Sequence, residues 1–180
     1  ILNMIGALDK PTSGTVYLEG RDLTRLGRGE LSRLRRDRVG FVFQAYNLVP
    51  VLTAYENAEF VLALQNVPVQ ERRDRVMAVL EEVGMAEYVN RRPDELSGGQ
   101  QQRIAIARAV VSDPAIVLAD EPTANVDLEA ANTILDLMED LNARKGVTFL
   151  FSTHDRLVMD RARRLVKLRD GRLEDDNQAA

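Results

Sequence analysis

The chain has 180 residues and a formal net charge of −4, which excludes a protein that binds polyanions by bulk electrostatics. Hydrophobic residues make up 45% of the sequence and charged residues 29%, values that suit one folded domain and exclude global disorder. There is no cysteine, which excludes disulfides and thiolate chemistry, and no apolar run approaches the ~18 residues of a membrane-spanning helix.

The N-terminal part of the chain alternates between helical and extended patterns. Residues 1–8 form an apolar helical run, and a turn sequence leads into an alternating strand at 15–19. Residues 21–38 carry seven arginines against three acidic residues, which is typical of a solvated helical face. Residues 39–43 are mostly apolar and predict a buried strand.

The middle of the chain is helical, and the C-terminal part returns to strands. Helices are predicted at 54–65, around 76–83, at 101–112 and around 134–141. Further strands are predicted at 115–119, 147–152 and 165–168, followed by a polar, frayed tail at 174–180. Strands that alternate with helices in this way predict an α/β fold with a largely parallel sheet.

Polar side chains follow three of the predicted strands. Gln44 follows the first buried strand, Asp120 and Glu121 follow the second, and His154, the sole histidine, follows the third. Ligands of open α/β sheets bind beyond the carboxyl ends of the strands. Successive strand residues face opposite ways, so one carboxylate could hold Mg²⁺ while the other activates a water as general base. The alternative is an acidic turn before Pro122.

A second candidate site lies at the start of the predicted helix near residue 101. Ser97 is a natural N-cap, and Gly98 and Gly99 allow backbone amides to approach a ligand closely. Such a helix start favours phosphate. The alternative is a capped turn that binds nothing.

Four ordered motifs resemble the ATP-binding subunit of ABC transporters: VFQ at 42–44, LSGGQ at 96–100 with QQRIAIARA after it, IVLADEPTANVD at 116–127, and STHD at 152–155. The resemblance implies a P-loop NTPase (RecA-like) core with a mostly parallel sheet and a helical insert. It also implies ATP hydrolysis with ATP and Mg²⁺ as cofactors.

The resemblance assigns a role to each motif residue. It implies that Asp120 and Gln44 serve the metal, that Glu121 is the catalytic glutamate, and that His154 is the switch histidine. The residues that it assigns to nucleotide binding are Gln44, Ser97, Gly98, Gly99, Gln100 and, in the D-loop, Asp127.

The resemblance also implies an architecture and partners. Residues 1–53 and 97–180 would form the nucleotide-binding core, and residues 54–96 the helical insert. Two copies would pair head to tail with each ATP between them, and an integral-membrane permease would bind near residues 44–50. The protein would then be cytoplasmic and peripheral on the inner face of the plasma membrane, without nucleic-acid binding or direct membrane insertion.

Three apolar residues after Gln44 are the expected permease contacts. Tyr46, Leu48 and Val49 are predicted to line a groove for a cytoplasmic helix of the permease. The alternative is that they pack the helical insert on the sheet.

Within the family, residues 38–60 are similar to the branch that serves lipoprotein release, macrolide-type export and cell division. Ala124 and Val126 depart from that branch, which usually has Gly and Leu there. The phosphate-binding pattern G-x-x-x-x-G-K-[ST] occurs nowhere in the 180 residues. In the family it precedes a helix like residues 1–6, so we expect that the first strands and the phosphate loop are missing by truncation. These 180 residues alone are then expected to be inactive.

Other classes of ATPase carry the same signature motif and are alternatives to a transport subunit. A DNA-repair ATPase would insert a long coiled coil between Gln44 and Leu96, but these two residues are only 52 positions apart, without sustained heptads between them. A translation-type ATPase would carry a second copy of the motifs. A subunit that signals through a membrane partner and transports nothing is not separated by the sequence from a transport subunit.

Overall fold

The computed structural model describes residues 1–178. Its helices are α1 (Leu2–Ile5), α2 (Arg28–Arg38), α3 (Ala54–Leu64), α4 (Val69–Glu82), α5 (Gly98–Val110), α6 (Leu128–Lys145) and α7 (Arg156–Met159). Its strands are β1 (Tyr17–Leu18), β2 (Arg21–Asp22), β3 (Val39–Val42), β4 (Ile116–Asp120), β5 (Thr148–Ser152), β6 (Arg164–Arg169) and β7 (Arg172–Gln178). Over residues 1–178, none of these helices combines the length and apolarity that crossing a membrane requires.

A parallel three-stranded sheet in the order β3-β4-β5 lies at the centre of the fold. β4 is the middle strand, and its three inner residues, Val117 to Ala119, are buried. Asp120 at its carboxyl end is in register with Ser152 at the end of β5. The predicted α/β fold with a mostly parallel sheet is confirmed, and the strand ends meet at one edge.

The last predicted strand does not join this sheet. It is β6, which pairs antiparallel with β7, and β7 takes in residues 174–178 of the tail that the sequence predicted to be frayed. The two-residue turn Asp170-Gly171 joins the strands with φ of 49° and 74°, the left-handed geometry of a tight hairpin. Residues 179–180 of that tail lie outside the described residues.

Helix α5 lies directly on the central sheet. It buries Ile104, Ile106 and Val110 in a cluster with Val42 and Val117. A Cβ at Gly40 of β3 would lie 2.3 Å from the carbonyl oxygen of Ala109, so a glycine is needed where this strand meets the helix. The close packing fixes the start of α5 relative to the ends of the strands.

Helices α3 and α4 pack against α5 and contribute to the same apolar cluster. α3 begins with a capping box, in which Thr53 Oγ1 accepts from the Glu56 N–H and Glu56 Oε2 accepts from the Thr53 N–H. The predicted division into a core and a 54–96 insert stays a prediction.

Candidate functional site

The strand ends bring Glu121 into contact with residues 153 and 154. Its Oε1 lies 2.6 Å from His154 Nδ1 and accepts the His154 backbone N–H at 3.2 Å, and its Oε2 accepts the Thr153 hydroxyl at 2.8 Å. The Glu121 side chain is 20% exposed, whereas His154 is 90% exposed. The structure therefore places the predicted base beside the predicted switch histidine.

The backbone of Glu121 is strained. Its φ is +46°, an unusual value for a residue with a side chain, and its N–H donates to the Ser152 carbonyl at 2.9 Å. Backbone strain of this kind concentrates at functional sites. Asp120, immediately before it, is exposed at the end of β4. The two carboxylates thus lie in different surroundings, one held by hydrogen bonds and one open to solvent.

Gln44 is exposed two residues after the end of β3. Its backbone carbonyl accepts the side-chain amide of Asn125 at 2.8 Å, and Tyr46 donates its hydroxyl to the Asn125 carbonyl at 2.9 Å. The segment after β3 is therefore attached to the loop that follows Glu121. The predicted role of the Gln44 side chain toward a metal stays a prediction.

The motif at 96–100 forms a capped helix start. Ser97 Oγ accepts the Gln100 N–H at 3.3 Å, and Gln100 Oε1 accepts the Ser97 N–H at 2.9 Å. Gly98 lies so close to Tyr46 that an added Cβ would be 2.7 Å from its hydroxyl oxygen, and a Cβ at Gly99 would be 3.1 Å from Ala130 Cβ. The side chains of Ser97 and Gln100 therefore each accept the backbone N–H of the other residue. The N–H groups of the first helical residues have no acceptor within the helix.

Asp127 caps the next helix, α6. Its Oδ1 accepts the Ala130 N–H at 2.8 Å, and the side chain is exposed. The loop 122–127 thus begins at the Glu121 cluster and ends beside the first turn of α5. Asn125 and Ala130, on either side of Asp127 in the sequence, approach Gly98 and Gly99.

The sequence did not single out four residues that organise this region: Asn125, Gln102, Thr153 and Arg108. Arg108 donates to the backbone carbonyls of Tyr46 and Asn47 at 2.8 and 2.5 Å, and burial lowers the pKa of its guanidinium. Tyr46 and Asn47 both have positive φ, 59° and 48°, so Arg108 stabilises an unfavourable turn. No local pattern could reveal Arg108, since its partners lie 61 and 62 positions away.

A groove of about 350 Å³ lies between β3, α2, α3 and α5. Its lining includes Phe43, Asn47, Phe60, Leu64, Arg35 and Arg108. The predicted groove residues behave differently: Leu48 packs against the main core, and the Val49 backbone is bound by the buried side chain of Asn57. The alternative expectation, packing of the insert, therefore describes Leu48. Val49 is attached to α3 through its backbone, and the Tyr46 hydroxyl binds the Asn125 carbonyl.

Asp120 can serve as a Mg²⁺ ligand if water and phosphate oxygens supply the remaining ligands. Within residues 1–178 no group of three or more His, Asp or Glu side chains could hold a metal ion. Mg²⁺ commonly uses one or two carboxylates and takes its other ligands from water and substrate phosphates. A single exposed carboxylate at a strand end fits a metal that arrives with a phosphate ligand.

Comparison with known proteins gives consistent matches. A family model described as ABC transporter matches residues 1–124. An ABC transporter ATP-binding protein of Thermotoga maritima is 45% identical over 174 residues, which cover 97% of this chain and 74% of the relative. A macrolide export ATP-binding/permease protein of Paracoccus denitrificans is 43% identical over 178 residues, which cover 99% of this chain and 26% of the relative.

A solved structure also matches the fold. It is the dimeric ATP-binding cassette of Methanocaldococcus jannaschii in a post-hydrolysis state with ADP and Pi. The TM-score is 0.89 and the identity is 42%, with 99% of this chain and 79% of that chain covered.

Proposed function

This chain belongs to the ABC transporter family as an ATP-binding cassette, and from that premise we propose how its residues bind and hydrolyse ATP. The observation that carries the proposal is the Glu121 cluster, in which a carboxylate on a strained backbone contacts Thr153 and His154 beside the exposed Asp120. Phosphoryl transfer depends on positioning and charge stabilisation, and this cluster offers both.

Asp120 is the residue that would hold Mg²⁺, with Gln44 as the second predicted contact. Asp120 ends the middle strand of a rigid sheet, and Gln44 follows the neighbouring strand. When bound with ATP, Mg²⁺ neutralises charge on the phosphates. Asp120 thereby controls binding of the metal–nucleotide complex and not the proton transfer.

Glu121 would accept the proton of the attacking water. A carboxylate has about four acceptor positions, and three are used by Thr153 and by the backbone and ring of His154. The remaining position is on Oε2, so the carboxylate can bind one water without losing its contacts. These contacts hold Glu121 in one orientation, which is what a general base requires.

His154 would stabilise the phosphate oxygens. Its Nδ1 lies 2.6 Å from Glu121 Oε1, so the nitrogen left to contact a phosphate oxygen is Nε2, which donates a hydrogen bond there when both ring nitrogens carry a proton. The ring is 90% exposed, which leaves this nitrogen accessible. Glu121 therefore orients the ring in addition to binding water.

A second copy of the chain would complete the site. The amides at the start of α5 form an anion-binding end, and Ser97, Gly98, Gly99 and Asp127 lie at the far end of loop 122–127 from Glu121. The Methanocaldococcus relative is dimeric in its ADP- and Pi-bound state. We expect this chain to form a dimer as well, paired head to tail, with Ser97 and Gln100 as part of the partner's nucleotide site.

A membrane permease would bind in the groove between α2 and α3. The groove is lined by apolar side chains together with Arg35 and Arg36. It also includes Asn47, in the segment that is hydrogen-bonded to Asn125. Several relatives are named as ATP-binding/permease proteins for export. Binding there would place this chain at the inner face of the membrane.

The test distinguishes the roles of Glu121 and Asp120 by substituting each in the full-length protein that contains these residues. Glu121→Gln removes the proton acceptor at nearly constant shape, so turnover should fall roughly 10²- to 10⁴-fold, or about 3–5 kcal/mol of barrier. ATP is then bound without being consumed, and the ATP-dependent dimer should accumulate on a sizing column. Asp120→Asn should weaken metal-dependent nucleotide binding itself.

Glu81→Gln is the matched control, since Glu81 is exposed on α4 and away from the strand ends. Near-normal turnover in Glu121→Gln would refute the proposed function. Equal loss of dimerisation in both carboxylate variants would refute the division of roles.

A further inference from the structure

Gln102 is a fully buried polar residue in the second turn of α5, with an exposed fraction of 0%. Its Nε2 donates to the Pro122 carbonyl at 2.6 Å, and its Oε1 has no hydrogen-bond partner within residues 1–178. Burying an unpaired acceptor is unfavourable for folding. Burial of Gln102 therefore lowers the free energy of unfolding unless its hydrogen bond to Pro122 compensates for the unpaired Oε1.

The Pro122 carbonyl belongs to the residue that directly follows Glu121. A proline has no N–H, so the carbonyl is the one polar backbone group through which this position can be anchored. Residues that precede proline strongly prefer extended backbone with negative φ, yet Glu121 has a φ of +46°. The segment would relax toward the extended form unless both sides of Glu121 were held.

Both sides are held in the structure. On one side the Glu121 N–H donates to the Ser152 carbonyl at 2.9 Å. On the other side the Glu121 carbonyl accepts the Ala124 N–H at 3.2 Å, and the shorter bond from Gln102, at 2.6 Å, holds the Pro122 carbonyl. Relaxation of the backbone would draw the carboxylate away from Thr153 and His154, which it now contacts within 3.2 Å.

We infer that Gln102 is a positioning residue for Glu121: its amide holds Pro122 and so keeps the Glu121 carboxylate oriented toward the water. The inference rests on the proposed function, in which Glu121 is the general base. It also connects α5, which Ser97 caps, to the catalytic carboxylate through Gln102 and Pro122.

The experiment measures ATP turnover and ATP-dependent dimerisation of Gln102→Met in the full-length protein. Met has a similar length but no amide, and it removes the unpaired Oε1, so the melting temperature should change little. A displacement of about 1 Å at a reacting group can cost about 10²-fold, and we expect a loss of kcat on that order. The KM for ATP should stay within about twofold, because Asp120 and the binding residues are untouched.

Two comparisons distinguish positioning from a structural role. Gln101→Met is the matched control, since it also removes an amide-to-carbonyl hydrogen bond, but to Leu96, and it should leave kcat unchanged. In a Glu121→Gln background, Gln102→Met should produce no further loss in single-turnover assays, because the base that it positions is absent. Gln102→Asn, whose shorter amide is withdrawn from Pro122, replaces the Met variant if that variant does not fold.

A normal kcat in Gln102→Met, when Glu121→Gln is inactive, overturns this inference and leaves the proposed function intact. The same holds if Gln102→Met lowers the single-turnover rate further in the Glu121→Gln background. Near-normal turnover in Glu121→Gln overturns the proposed function whatever Gln102→Met does.

Discussion

Gly98→Ala tests the contact between the start of α5 and the two loops beside it. An added Cβ would lie 2.7 Å from Tyr46 Oη and 3.1 Å from the Asn125 carbonyl oxygen. The first distance is well inside van der Waals contact, and the tyrosine is held by its hydrogen bond to Asn125. Forcing a methyl into such a site costs about 1–3 kcal/mol of unfolding free energy.

The shorter of the two approaches involves one atom, the Tyr46 hydroxyl oxygen, which a second substitution can remove; the 3.1 Å approach to the Asn125 carbonyl oxygen remains. Tyr46→Phe removes the hydroxyl, and the next ring atom, Cζ, would lie 3.7 Å from the new Cβ, an ordinary contact. Alone, Tyr46→Phe should cost about 0.5–1.5 kcal/mol through the lost hydrogen bond to Asn125. In the double variant the two effects should not add, and we expect a favourable coupling of about 1–2 kcal/mol.

The four proteins of this double-mutant cycle are the parent, Gly98→Ala, Tyr46→Phe and the double variant. Urea unfolding at constant pH gives the free energy of unfolding of each. Gly29→Ala on α2 is the control, because nothing lies within 4 Å of its added Cβ, and it should stabilise the chain by about 0.4–1 kcal/mol. Additive losses in the double variant would refute the assignment of the clash to Tyr46. A Gly98→Ala protein as stable as the parent would refute the close approach itself.

Two further predictions concern the groove and the start of α3. Phe60→Glu should abolish co-purification with the permease and leave the melting temperature unchanged, because Phe60 lines the groove and is 45% exposed. Leu128→Glu, at a 70% exposed site on α6, is the control. Retained co-purification of the Phe60→Glu protein would exclude the groove as the interface. The backbone N–H of Thr53, followed by its hydroxyl, lowers the pKa of Glu56, so this carboxylate stabilises the folded chain above its unfolded pKa and loses that effect as pH falls through the folded value. Glu56→Gln should therefore reduce the loss of unfolding free energy as pH falls from neutral to below about pH 4, and an unchanged acid slope in urea titrations would contradict this.

Features that depend on neighbours along the chain follow from the sequence alone. The capping boxes of α3 and α5 join residues three apart, and the Asp170-Gly171 turn needs only a dipeptide that tolerates positive φ. The apolar runs predicted the three parallel strands, since a strand buried on both faces has few polar residues. The same runs also predicted that residues 44, 120, 121 and 154 lie at or just after strand ends.

The contacts of the site were decided by tertiary structure. The parallel register of β4 and β5 places Glu121 against Thr153 and His154, and the packing of α5 on the sheet carries Gln102 to Pro122. Tyr46 and Asn125 are 79 positions apart, so their hydrogen bond exists only after three separate elements have packed. Hydrogen bonds between near neighbours depend on local backbone preference, whereas these contacts depend on register and packing distance, which no local pattern in a single sequence contains.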